Sequence, residues 1–279
     1  MNDNQPIRLI DQSDLGPGFS AIDSFAIDDA LCLSVGDNLS PFTARLWVHH
    51  NTVVLGIPDT RIPYLNEGIQ KLKEYGYQAI VRNSGGLAVV LDEGILNLSF
   101  IYPNSKTLSI HDGYEHMVSF IRQLYNQKID AYTIEQSYCP GDYDLSINGQ
   151  KFAGISQRRV KNGVAVQIYL CVEGSGSQRA QMIQTFYEKG IQGETTRFSY
   201  PHIDPSSMAS LSELLGQSVT VGETRRLIMQ KLMENSSEFI TGSLTPFETE
   251  HFLSRREKMV ERNERAWGRL HRNLDMTGF

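Results

Sequence analysis

Apolar residues keep helical spacing over Ile22, Phe25, Ala26, Leu31 and Leu33, which predicts an amphipathic helix opened by Ser20 and running to about Val35. Ahead of it, Ile7-Arg8-Leu9-Ile10 reads as a short strand. The stretch ARLWVHHNTVVLGI at 44–57 predicts two strands meeting at His50-Asn51, and Leu65, Ile69 and Leu72 predict a helix that Gly76 ends. Strands follow at 78–82, 87–91 and 95–101, interrupted by Gly85-Gly86 and by Asp92-Glu93-Gly94. Asp112 with Glu115 reads as the capped start of a helix whose Val118, Ile121, Leu124 and Tyr125 face inward.

Two Asn-Gly pairs, Asn148-Gly149 and Asn162-Gly163, then stand between strand-like segments, and Asn-Gly supplies the positive φ angles of a two-residue hairpin turn. From Ser177 onward the pattern is mainly helical, with helix starts at Thr220-x-x-Glu223 and Thr245-Pro-Phe-Glu248. The whole predicts an α+β fold: a domain over residues 1–200 with a central, largely antiparallel sheet flanked by helices, and a helical C-terminal extension over 201–279.

Composition narrows the function. With 26 Lys+Arg against 32 Asp+Glu the net charge of −6 offers no footing for nucleic acid. No run is apolar enough for a membrane span, and the N-terminal residues lack an export pattern, so a cytoplasmic protein is expected. Three cysteines (32, 139 and 171) without a C-x-x-C, and seven histidines without H-x-x-x-H spacing, leave neither a disulfide framework nor a metal site to expect.

Three segments could carry chemistry. In Arg82-Asn-Ser-Gly-Gly-Leu87, two glycines between strands either make a plain turn or let a backbone approach a ligand with its N–H groups uncovered. Cys139 precedes Pro140-Gly141, a loop signal that puts its thiol near a surface, whereas Cys32 and Cys171 lie in apolar runs and read as inert buried thiols. In the hairpin at 148–149, Ser146 pairs with Lys151, which shares a face with Asp144. Lys151 is then either half of an exposed ion pair or an ammonium held over a cleft, where it would favour a thiolate. Leu87, Val89 and Phe152 fit the wall of an acyl tunnel or a packed core equally well.

Together these segments resemble the biotin/lipoate protein ligase and transferase superfamily. R-x-S-G-G-x-A-V-x-x-D at 82–92 is similar to its Gly-rich acyl-binding segment, N-G-Q-K-F-A-G at 148–154 to its lysine segment, and 21–31 to its first helix. Ligases of the superfamily carry a third glycine and a His-Asp pair where this chain has Leu87 and Leu91-Asp92. A cysteine twelve residues ahead of the lysine is instead the arrangement of its Gram-positive cysteine octanoyltransferases. The details at 44–59 and 137–147 resemble those members that move octanoyl from the glycine-cleavage H protein to lipoyl domains.

The resemblance implies an acyltransferase with Cys139 as nucleophile and Lys151 as its activating cation, and Arg82, Ser84, Gly85, Gly86, Leu87, Ala153 and Gly154 as substrate-binding residues. No cofactor is implied. The donor would be octanoylated or lipoylated H protein and the acceptors lipoyl domains of 2-oxoacid dehydrogenase complexes. Octanoyl-acyl carrier protein as donor, or ATP-dependent lipoate ligation, are the alternatives. Lys151, the Gly154 region and the 84–86 turn are the expected oxyanion donors. Arg158, Arg159 and Lys161 form the basic patch expected to steer acidic partners, while Arg255, Arg256, Lys258, Arg262, Arg265, Arg269 and Arg272 read as a solvated helix face.

Overall fold

The computed structural model describes residues 5–103 and 106–275, with side chains to residue 268; Arg269 and Arg272 of the C-terminal basic series lie outside the described side chains. The first half runs β1 (Gln5–Gln12), α1 (Ala21–Gly36), β2 (Phe42–Trp47), β3 (Thr52–Leu55), α2 (Leu65–Glu74), β4 (Gln78–Val81), β5 (Val89–Leu91), β6 (Ile95–Tyr102) and α3 (Ile110–Arg122). The second runs β7 (Asp130–Ala131), β8 (Leu145–Ile147), β9 (Gln150–Val160), β10 (Gly163–Cys171), α4 (Gly176–Ile191), α5 (Leu211–Leu215), α6 (Val221–Glu234), β11 (Ser236–Thr241) and α7 (Pro246–Asp275). Among the described residues no helix is long and apolar enough to cross a membrane.

Eight strands form one sheet in the order β11-β1-β2-β6-β10-β9-β8-β7, antiparallel from β2 onward, and three form a second in the order β4-β3-β5. The central strands β6 and β10 are buried on both faces, which is why they read as nearly unbroken apolar runs. One face (Leu96, Leu98, Phe100, Val164, Val166) packs with Met117, Val118 and Ile121 of α3. The opposite face carries Asn97 and Ser99 of β6 and Gln167 of β10, polar breaks that mark where the functional cavity and its support lie.

Helix α1 departs from the amphipathic expectation: nearly every residue is buried, Asp28 and Asp29 included. Its Asp28 side faces the sheet, and Phe247 and Phe252 of α7 pack into one buried cluster with Ile27, Leu31 and Cys32. The stretch beyond residue 200 is not helical throughout, because Ser236–Thr241 forms β11 and pairs in parallel with β1. Glu248 at the start of α7 accepts two bonds from the Arg8 guanidinium, at 2.7 and 2.8 Å, so β1 and α7 are tied by a buried ion pair.

Two local readings also shift. Ser109 caps α3, accepting the Asp112 N–H at 3.0 Å, so Asp112 is the third helical residue, and Leu124 and Tyr125 lie past the helix end. In the second hairpin Val160 pairs with Gly163 around Lys161-Asn162, with Lys161 at φ 50°. Gly163 itself is in the strand, where a Cβ would stand 2.0 Å from the Cys32 carbonyl oxygen: it is glycine for close packing, not for the turn.

Candidate active site

The hairpin at Asn148-Gly149 forms as the sequence predicts, with φ of 51° and 81° at the two turn residues, and it pairs Ser146 with Lys151. A register irregularity between Leu145 and Ser146 then opposes Leu145 to Ala153. Lys151 is fully buried, and its Nζ lies 2.9 Å from Asp144 Oδ1, 3.1 Å from Ser137 Oγ, and 3.0 and 2.9 Å from the carbonyl oxygens of Tyr138 and Cys139. The pair is therefore not the exposed cross-strand contact. Burial raises the Asp144 pKa, against which work the Lys151 charge and the N–H groups of Ile134 and Gly141, at 3.1 and 3.2 Å.

These bonds shape the loop that carries Cys139. The residue sits at φ 46°, in the left-handed region that L-residues enter at a cost of about 1–2 kcal/mol, and the ammonium gathers the carbonyls on either side of that strained peptide. The three N–H bonds of Lys151 are spent on oxygens; the sulfur is not among its hydrogen-bond partners. What meets the sulfur comes from the Gly-rich turn: the Leu87 N–H at 3.1 Å and Arg82 Nη2 at 3.6 Å, the same Nη2 also bonding the Leu87 carbonyl at 2.8 Å. The expected ammonium–thiol contact is thus replaced by an amide–guanidinium pair. Gly86, at φ 97°, makes room for both, since a Cβ there would stand 2.4 Å from Arg82 Nη2 and 3.0 Å from the sulfur.

A cavity of about 350 Å3 opens beside the thiol. Arg82, Gly85, Gly86 and Gly154 line it, with Val89 on the apolar side. Gly154 leaves space for the Tyr169 ring, whose Cε1 would be 2.8 Å from an added Cβ. Other expectations are corrected. Ser84 is buried behind the turn; Phe152 and Ala153 belong to the core on the opposite sheet face; Leu87 contributes its backbone N–H. Sequence reasoning missed Phe25, Trp47, Val54 and Tyr169, contributed by four different elements. It also missed the support behind them, although polar residues interrupting three strands at matching registers signal it: Arg45, Ser99 and Gln167 face one another and all bond Asp28 of α1, at 2.9, 2.6 and 2.6 Å.

The turn has a second support. Asp59 is fully buried and accepts the Gly56 N–H at 2.7 Å and the Tyr187 hydroxyl at 2.8 Å. Burial lifts its pKa from 3.8 to about 6, against the two hydrogen bonds and the charge of Arg82. A raised folded-state pKa stabilises the fold fully below pH 3.8, and that contribution is lost as pH rises through about 6. Asp59→Asn is therefore expected to exceed the parent in stability at pH 8 by roughly 3 kcal/mol, the gap closing towards pH 4, as urea denaturation at the two pH values would measure. A pH-independent difference would contradict this.

The other residues singled out in the sequence are mostly engaged elsewhere. Burial pushes the Cys171 thiol up to about 12 and the Cys32 thiol well above its ordinary value. Asp92 forms a buried pair with Arg179 at 2.6 Å, and Leu91 lines the cavity. Of the basic patch, Arg158 is paired with Asp29 at 2.9 Å, Arg159 bonds the Leu108 carbonyl at 2.8 Å, and Lys161 stands at the exposed hairpin tip.

Residues 20–233 match the family model of the lipoyl protein ligase A/B catalytic domain. Proteins named octanoyl-[GcvH]:protein N-octanoyltransferase are 52% identical in Oceanobacillus iheyensis (94% of this chain, 96% of that one) and 51% in Bacillus velezensis (94% and 93%). The one from Staphylococcus aureus is 48% identical (92% and 93%). Among solved structures, lipoate-protein ligase A bound with ATP superposes with a TM-score of 0.67 at 18% identity, covering 91% of this chain and 95% of that one. The bi-partite lipoate protein ligase of Thermoplasma acidophilum gives 0.62 at 17%, covering 92% and 93%; at such identities the likeness concerns the fold.

Proposed function

This chain belongs to the lipoyl protein ligase A/B catalytic-domain family and is an acyltransferase that moves octanoyl from the glycine-cleavage H protein to protein in lipoylation; from that premise we propose that the octanoyl group travels as a thioester on Cys139. The observation that carries this is the half-buried thiol at the cavity edge, met by the Leu87 N–H and the Arg82 guanidinium. The thiolate is the nucleophilic form of a cysteine, and a backbone N–H and a guanidinium stand where they would meet its charge.

In the first displacement the sulfur attacks the octanoyl amide on the donor lysine. The C–S bond forms, the C–N bond breaks, and the amine departs with the proton that the thiol gave up. In the second, the lysine amine of a lipoyl domain attacks the thioester and the thiol is restored. One partner leaves before the next arrives, so a single cavity serves both. While sulfur is acylated it no longer needs neutralising, and the Leu87 N–H and Arg82 become donors for the adjacent acyl oxygen. Lys151 acts one step removed, by holding the Cys139 loop; the apolar wall with Trp47, Val54 and Val89 takes the alkyl chain.

The test is intact-mass measurement after mixing the protein with octanoylated H protein in the absence of nucleotide. A gain of one octanoyl group that hydroxylamine removes, and that an added lipoyl domain discharges, is expected. Transfer that proceeds only with ATP and free octanoate would overturn the route.

A further inference from the structure

We propose that Asp59 is a positioning residue for the thiol: its carboxylate grips both sides of the peptide that faces Cys139. The inference rests on Cys139 being the acyl carrier. One carboxylate oxygen accepts the Gly56 N–H at 2.7 Å, and Gly56 is pressed so closely on the turn that a Cβ there would lie 1.9 Å from the Gly86 carbonyl oxygen. The other accepts the Tyr187 hydroxyl at 2.8 Å, and that hydroxyl in turn accepts the Ala88 N–H at 3.3 Å. Residues 86 and 88 flank Leu87, whose N–H meets the sulfur. The two arms of one side chain therefore end on either side of the donor.

The surroundings are built to keep this grip. Tyr187 packs between Phe186 and Tyr200 at ring-centroid distances of 5.0 and 5.4 Å, and the Tyr200 hydroxyl bonds the Pro58 carbonyl at 2.7 Å, clamping the turn that carries Asp59. The charged and titratable groups facing the carboxylate are Tyr187 and Tyr200, both kept neutral by burial, and Arg82. None of them is within ion-pair distance: among the described residues Asp59 has no salt bridge. A buried carboxylate without a paired cation lowers stability, yet an ionised acceptor holds its donors more firmly than an amide would. Stability is given up for a rigid turn, a trade that active sites make.

The experiment compares the full-length parent with Asp59→Asn, Tyr187→Phe and the double variant, reading iodoacetamide labelling of Cys139 at pH 8 and acyl-enzyme formation from octanoylated H protein. Each single variant is expected to be roughly 10- to 100-fold slower in both. The double variant should be no slower than the worse single one, because both act through one turn. Melting temperatures should not fall for Asp59→Asn, so slower chemistry cannot be laid to unfolding, and Tyr187→Phe tests the same arm independently. Parental rates in both single variants, or losses that simply multiply, would overturn the positioning role alone. Failure of the parent itself to take up octanoyl on Cys139 would overturn the nucleophile and, with it, this role.

Discussion

Cys139→Ser is expected to lose acyl transfer by at least about 10^3- to 10^4-fold while folding as the parent does. The substitution keeps the side-chain shape, and serine enters the left-handed conformation at φ 46° no less readily than cysteine. The Leu87 N–H and Arg82 would still meet the replaced atom. What changes is the acid. A thiolate is a far better nucleophile than a hydroxyl with no base positioned on it, so the nucleophile disappears while the cavity stays. Intact-mass analysis should find no hydroxylamine-labile octanoyl on the variant. The same lesion at Cys32 or Cys171 should leave transfer intact, since both thiols are buried and burial holds them protonated. Octanoyl accumulating on Cys139→Ser would place the carrier elsewhere.

The second large effect is expected at Lys151, and it should fall on stability as well as rate. Lys151→Ala strands the buried Asp144 carboxylate without its cation and leaves the Ser137 hydroxyl and two carbonyls short of a donor. Breaking one side of such a pair costs about 3–5 kcal/mol. Removing both charges, as in Lys151→Met with Asp144→Asn, should restore most of that stability, because the amide oxygen still accepts from the Ile134 or Gly141 N–H. It should not restore transfer, because the Cys139 loop remains untethered. Urea denaturation together with the rate of thiol labelling separates the two consequences. If the double variant recovers full activity, the ammonium is not what holds the loop.

Much of the local structure was legible beforehand, for reasons particular to each element. The Asn148-Gly149 turn sets a two-residue loop, and a two-residue loop fixes the register, so the Ser146–Lys151 pairing followed from six residues. Thr220-x-x-Glu223 makes its capping box because hydroxyl and carboxylate answer N–H groups three residues away. By contrast, β11 was invisible: Ser236–Thr241 is mostly exposed, has weak alternation, and is a strand because β1 offers it an edge. The cover that α7 lays over α1 was equally hidden, since the α1 sequence shows only that much of it is apolar.

For the site the division is sharper. The chain by itself determined which chemistry was on offer: a loop cysteine, a glycine turn, a lysine beside an aspartate, and a resemblance that ordered them. Tertiary structure decided who meets whom. Leu87 reaches Cys139 across 52 positions and Tyr187 reaches Asp59 across 128, and in burial Lys151 turned from the sulfur to the oxygens around it. Periodicity encodes which side of an element is apolar, whereas the partner of a buried polar atom depends on what other elements bring opposite it. An ammonium sealed from water binds the most concentrated set of oxygens within reach, and that set exists only once the Cys139 loop, β8 and β9 have closed around it.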